Sequence, residues 1–175
     1  MINIENLTKF YGNNRAVNNI SFTINDNEIL GFLGPNGAGK STTMNMVAGY
    51  LPMSGGTVTI CGTDISKEPV KAKKKIGYLP QDPPVYPDMR VKEYMSFCAG
   101  LKRIPRAKRK EEIQHVMELL KITDVKDKLI KNLSGGYKRR VGFAQAIMGS
   151  PEFVILDEPT VGLDPEQVIE VRNII

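Results

Sequence analysis

Hydrophobic and polar residues change their spacing several times along the chain, and each change predicts an element. INIENLTKFY (2–11) and VNNISFTI (17–24) alternate apolar with polar positions, the pattern of half-buried strands. EILGFL (28–33) is instead a continuous apolar run behind the turn NDNE (25–28), and predicts a buried strand leading into a glycine-rich loop. A helix is expected from about Gly39 to Tyr50, then strands at GGTVTI (55–60) and KKIGYL (74–79). From Val91 to Gly149 apolar residues recur at helical spacing, as at Ile113, Val116, Met117, Leu119 and Leu120. PEFVILDEPT (151–160) supplies another buried strand, and PEQVIEVRNII reads as a helix. No internal repeat or low-complexity linker is found. The order of elements predicts an α/β fold with a mostly helical insert between about residues 85 and 150.

Composition narrows the class. The chain has 175 residues, 41% hydrophobic and 25% charged, which suits one soluble domain with a real core. No stretch approaches the ~20 apolar residues of a membrane-spanning helix, and MINIENLTKF lacks the layout of a secretory signal. Two cysteines, Cys61 and Cys98, and a single histidine, His115, argue against a zinc site or a disulfide scaffold and fit a reducing cytosol. The net charge of +5 is uneven, because LKRIPRAKRK (101–110) carries six Lys/Arg. That run reads as a solvated helix face with a turn at Pro105, or else as a surface near anionic lipid. No aromatic residue is interleaved to stack on bases, so no nucleic-acid partner is expected.

The chemistry sits in a few short stretches. GPNGAGKST (34–42) fits G-x-x-x-x-G-K-[ST] between a predicted strand and a predicted helix. Glycines allow the backbone to wrap a phosphate so that successive N–H groups point inward at the helix start. Lys40 suits β- and γ-phosphate charge, and the Ser41 hydroxyl suits Mg²⁺. This loop is expected to bind a nucleoside triphosphate. In FVILDE (153–158), Asp157 suits a Mg²⁺ ligand acting through water and Glu158 a general base for an attacking water. Gln81 and Tyr11 stand at strand ends, where packing or solvated structural roles explain them as well. NLSGGYKRRVG (132–142) adds a hydroxyl and two glycines at the start of a helix, a second anion-holding turn.

Taken with VGLD (161–164), these stretches resemble the nucleotide-binding domain of an ATP-binding-cassette (ABC) transporter, from the first strand to the last residue. LSGGYKRRVGFAQA and DEPTVGLDP are most similar to those of bacterial exporters of drugs or polymers and of related gliding-motility systems. The resemblance implies a RecA-like P-loop NTPase core with N-terminal antiparallel strands (1–85 and 151–175) plus a helical subdomain (86–150), together one ABC ATPase domain. It implies ATP and Mg²⁺ as cofactors. Tyr11 would stack on adenine. Gly34, Asn36, Gly37, Ala38, Gly39, Lys40, Ser41 and Thr42 would surround the phosphates. Ser41, Gln81 and Asp157 would hold the metal, and Glu158, Gln81 and Lys40 would be catalytic. Two such domains, alike or different, would sandwich two ATP molecules, with Ser134, Gly135 and Gly136 of one meeting the nucleotide of the other. Asp164 would reach across to the partner's phosphate loop. The insert and the segment after Gln81 would receive a membrane-spanning permease subunit, placing the protein peripherally on the cytoplasmic face of the membrane.

Two departures from the family pattern stand out. Tyr137 replaces the glutamine that usually ends the signature, which puts ribose-side contacts in question. The family's switch histidine lies at the end of a strand after the GLD loop and its helix, whereas His115 falls inside the insert. The chain therefore reads as C-terminally truncated before the switch-histidine strand, and by itself as a poor ATPase. Besides an exporter ATPase, a soluble ABC ATPase and a nucleotide-binding fragment without turnover remain as alternatives.

Overall fold

The computed structural model describes the backbone of residues 1–175 and all side chains except those of Glu170 and Ile174. The chain divides into two compact units, Met1–Ile76 and Gly77–Ile175.

In the first unit, strands β1 (Ile2–Tyr11) and β2 (Asn14–Ile24) pair antiparallel. Helix α1 (Lys40–Val47) follows, then β3 (Gly55–Ile60), the short β4 (Thr63–Asp64) and α2 (Pro69–Lys73). The sheet order is β2-β1-β3-β4. Ile2 and Ile4 of β1 lie opposite Ile60 and Val58 of β3, and all four are buried.

Simple alternation fails within β1. Ile2 and Ile4 are buried, but the next buried residue is Leu7, followed by Lys9. The register shifts against both neighbours around Glu5–Thr8, and Asn6 has φ 52. This bulge moves the inward side from even to odd positions, and Asn is among the residues that accept a left-handed φ. Gly56 permits it: a Cβ there would stand 2.5 Å from the carbonyl oxygens of Glu5 and Asn6.

The apolar run 28–33 differs from its expected form. It belongs to no strand, and Ile29 and Leu33 are 79% and 94% exposed. Hydrophobicity makes a segment suitable for a buried strand, but the backbone adopts a ladder only beside a neighbour that accepts its hydrogen bonds. Among the described strands none pairs with it.

In the second unit, β5 (Ile76–Leu79, which begins at the junction) pairs with β6 (Phe153–Leu156). Helices α3 (Val91–Leu101), α4 (Arg106–Leu119) and α5 (Gly135–Ile147) lie between them in sequence, with 3₁₀ turns at Thr123–Val125 and Ile130–Asn132. Helix α6 (Pro165–Ile174) ends the chain. Leu79, Met95, Leu120, Ile122, Ile130 and Met148 are fully buried in one apolar cluster drawn from these elements.

Gly77 sets how closely β5 approaches the end of α5. A Cβ there would lie 2.2 Å from the Ala146 carbonyl oxygen and 3.0 Å from Pro151 Cγ. Backbone cannot swing aside as a side chain can, so Gly77→Ala is expected to destabilise the chain by about 2–3 kcal/mol. Urea unfolding should show a lower midpoint; an unchanged one would mean that α5 shifts at little cost.

Candidate functional site

The glycine-rich loop lies in the first unit. Its backbone turns through Gly37 and Gly39, at φ 81 and 86, into the first turn of α1. Gly39 is the N-cap and offers no side chain to the first helical N–H groups, and no acidic residue occupies that turn. The helix start thus presents unsatisfied donors and the positive end of its dipole. Lys40 Nζ donates to the carbonyls of Gly34 (2.8 Å) and Pro35 (2.9 Å), so the loop curls around its own ammonium group. The Ala38 N–H donates to the Pro35 carbonyl at 3.2 Å, tightening the turn. Asn36, Gly37 and Ala38 are exposed, and Ser41 and Thr42 are half-buried at the helix start. The buried Thr43 hydroxyl donates to the Gly39 carbonyl at 2.9 Å.

Only glycine fits at position 39. A Cβ would come within 2.4 Å of the Ala16 carbonyl oxygen, in addition to the cost of a left-handed φ. Gly39→Ala is expected to cost about 2 kcal/mol or more of stability. It should also weaken nucleotide binding, as read by thermal melting with and without ATP. Equal melting temperatures and equal ATP-induced shifts would overturn this account.

Tyr11, at the end of β1 in the same unit, is 51% exposed, with the Lys9 ammonium 5.3 Å from its ring centroid. Lys9 itself is buried and donates to the Pro52 carbonyl at 2.7 Å. A cation on one face steadies the ring by the cation–π attraction.

The second unit holds Gln81, Asp157 and Glu158. The Asp157 N–H donates to the Leu79 carbonyl at 2.9 Å, carrying the β5–β6 pairing to the first acid. Asp157 is buried and Glu158 half-buried, while Gln81 is exposed just past β5. Glu158 has φ 49, an uncommon conformation for a residue with a Cβ.

One residue joins these three, and the motif reading did not single it out. Arg139, on α5, is 7% exposed. Its Nε donates to the Pro159 carbonyl (2.9 Å), Nη1 to that of Gln81 (2.6 Å), and Nη2 to those of Asp157 (3.2 Å) and Glu158. Burial lowers the Arg139 pKa, opposed by the carboxylates of Asp82, Glu158 and Asp157; the guanidinium stays charged. The available signal was a second arginine directly before the apolar run VGFAQAI.

The LSGG stretch starts α5. Ser134 is the N-cap, and its Oγ accepts from the Tyr137 N–H at 3.4 Å, a long contact. Gly135 faces open space. Gly136 is buried against Gln167, whose Oε1 would lie 2.3 Å from an added Cβ. Tyr137 donates from its hydroxyl to Asp124 Oδ2 at 2.7 Å, and the Arg140 guanidinium lies 5.6 Å from its ring centroid. Tyr137, Arg140, Asp164, Glu166 and Gln167 line an open pocket of about 240 Å³. Asp164 caps α6, accepting from the Gln167 N–H at 2.8 Å. The signature turn and the GLD turn are thereby neighbours within this unit. His115 is exposed on α4.

Comparison with known proteins adds an independent finding. The family model for ABC transporters matches residues 17–161. The chain is 42% identical over 167 residues to the linearmycin resistance ATP-binding protein LnrL of Bacillus subtilis, covering 95% of this chain and 53% of LnrL. It is 39% identical over 178 residues to the lipopolysaccharide export system ATP-binding protein LptB of Haemophilus influenzae, covering 100% of this chain and 74% of LptB. The dimeric post-hydrolysis structure of the ATP-binding cassette MJ0796, bound to ADP and Pi, matches with TM-score 0.90 at 24% identity. That match covers 99% of this chain and 81% of that one, a likeness of fold. The chain spans about half the length of the Bacillus relatives it matches. With the family model matching most of its length, the chain belongs to the ABC transporter family.

Proposed function

We propose that this chain binds and hydrolyses ATP as the nucleotide-binding domain of an ABC exporter, working as one half of an ATP-sandwich dimer beside a membrane-spanning permease. The observation that carries the reading is the loop 34–42, curled around Lys40 at an uncapped helix start. Such a start is a ready anion site, and the lysine adds a full positive charge beside the phosphates. In this reading Gly34, Asn36, Gly37, Ala38, Gly39 and Thr42 surround the phosphates, and the exposed ring of Tyr11 stacks on adenine.

The resemblance implies Mg²⁺, and the chemistry of each residue it names suits a hard cation. Ser41, Gln81 and Asp157 offer oxygen ligands, as a hard cation requires. When bound, Mg²⁺ supplies charge neutralisation on the phosphate oxygens. Glu158 accepts a proton from the attacking water, and Gln81 helps to orient that water. Ser134, Gly135 and Gly136 offer a hydroxyl and helix-start N–H groups to the γ-phosphate held by the partner domain. Asp164 reaches the partner's phosphate loop while capping its own helix.

No helix among the described residues is long and apolar enough to cross a membrane; in this reading transport runs through a membrane-spanning permease. An exposed aromatic surface after Gln81 suits its docking. Tyr86 and Phe97 are exposed, with ring centroids 5.5 Å apart, and the buried Tyr94 lies 6.0 Å from Tyr86 beneath that surface. Exposed aromatic clusters are a frequent mark of protein contact surfaces. The name of LptB, an export-system ATP-binding protein, supports the export direction; a peripheral place on the cytoplasmic face goes with the same reading. Titration of the protein with a fluorescent ATP analogue and Mg²⁺ tests the reading. Saturable binding displaced by unlabelled ATP is expected, and its absence would remove the proposal.

A further inference from the structure

We infer that Arg139 is a positioning residue for hydrolysis: from the signature helix it clamps the backbone that carries Glu158 and Gln81. The inference rests on the catalytic reading of Glu158 and adds to it a residue outside the motif assignments above.

The geometry is specific. Four carbonyls converge on one guanidinium, those of Gln81, Asp157, Glu158 and Pro159. Three belong to consecutive residues around the acid, and the fourth to the loop after β5. A buried guanidinium must find acceptors for its N–H groups, and here four backbone carbonyls supply them. The planar fork fixes direction as well as distance.

The clamp has a task because Glu158 stands at φ 49, a conformation that a residue with a Cβ enters rarely. Left to local preference, the turn would relax and re-aim the carboxylate. Gripping the carbonyls on both sides of the φ-restricted residue holds the turn as it is. The carboxylates of Asp82, Glu158 and Asp157 in turn favour the charged form of this guanidinium.

Arg139 sits on α5, which starts at the Ser134 cap. One helix therefore carries the turn assigned to the partner's nucleotide and the clamp on the acid assigned to its own nucleotide. A purely structural arginine would stabilise the fold without altering turnover per folded site. A positioning arginine alters turnover and leaves ATP affinity alone, because its carbonyl partners lie around the acid and outside the phosphate loop.

The test compares Arg139→Gln, Arg139→Lys and Glu158→Gln with the unaltered intact protein. Turnover is normalised to sites titrated with a fluorescent ATP analogue, so that misfolded chains do not count. Arg139→Gln is expected to lower kcat by about 100-fold, the scale of a misplaced catalytic group, with KM within about twofold. Arg139→Lys keeps the charge and part of the bonding, and should recover about tenfold of that loss. If Glu158→Gln is inactive while both Arg139 variants turn over within threefold of the unaltered protein per site, the clamp is structural and the inference fails alone. If Glu158→Gln turns over normally, the catalytic reading of Glu158 falls and the inference falls with it. A loss in Arg139→Gln that appears equally in KM, or that lysine does not relieve, also overturns it.

Discussion

Glu158→Gln is expected to lower ATP turnover by about 10²- to 10⁴-fold, the range that a positioned general base contributes, with little change in ATP affinity. The substitution keeps shape and hydrogen-bonding length but removes the ability to take a proton. The Arg139 bonds to this turn go to backbone carbonyls, which glutamine retains, so the fold should persist. Without hydrolysis the ATP-bound state should accumulate, and with ATP and Mg²⁺ the variant should elute earlier from size exclusion, as a dimer. Turnover within tenfold of the unaltered protein would exclude Glu158 as the base. A variant that binds ATP yet stays monomeric would exclude the sandwich mechanism while leaving the phosphate loop intact.

Lys40→Ala is expected to weaken ATP binding by at least about 100-fold. Hydrogen bonds to a charged group contribute roughly 1.5–3 kcal/mol each, and 1.4 kcal/mol is a factor of ten in affinity. Two charge-assisted contacts to phosphate oxygens would account for such a loss. The lysine also braces the loop from inside through the Gly34 and Pro35 carbonyls, which alanine leaves without that donor. A fluorescent-analogue titration reads the affinity, and a thermal melt without nucleotide separates a loosened loop from lost phosphate contact. Retained affinity would remove the phosphate-loop assignment.

Legibility from sequence followed the range of the interactions involved. Ser134 was legible as a hydroxyl at a helix start, because that pattern lies within a few residues, while Asp164 was named through the family resemblance; that each caps its helix came with the structure. Helix α1 was expected over Gly39–Tyr50 and runs Lys40–Val47, its start within one residue but its end three residues early, just before Gly49 at φ 72. Strand β1 was expected with plain alternation, but a bulge at Asn6 changes which side faces inward, and its permissive partner is Gly56, on another strand. The run 28–33 was expected as a strand on hydrophobicity alone, and that property carries no information about a pairing neighbour. Arg139 looked like one more basic residue in KRR, because its partners are backbone carbonyls, which have no sequence signature.

By itself, then, the sequence determined the glycine-rich turn at 34–42, the helix that follows it and the strands around Ile2–Tyr11, Gly55–Ile60, Ile76–Leu79 and Phe153–Leu156. Each of these is set within a few consecutive residues, through φ preference, capping and side-chain period. The tertiary structure alone decided that an arginine of the signature helix holds the carbonyls of Gln81 and of the Glu158 turn. It alone decided that Gly136 makes room for Gln167. Both depend on chain segments far apart in sequence meeting across a packed core, where directional hydrogen bonds and the absence of a Cβ take effect only once the neighbours are in place.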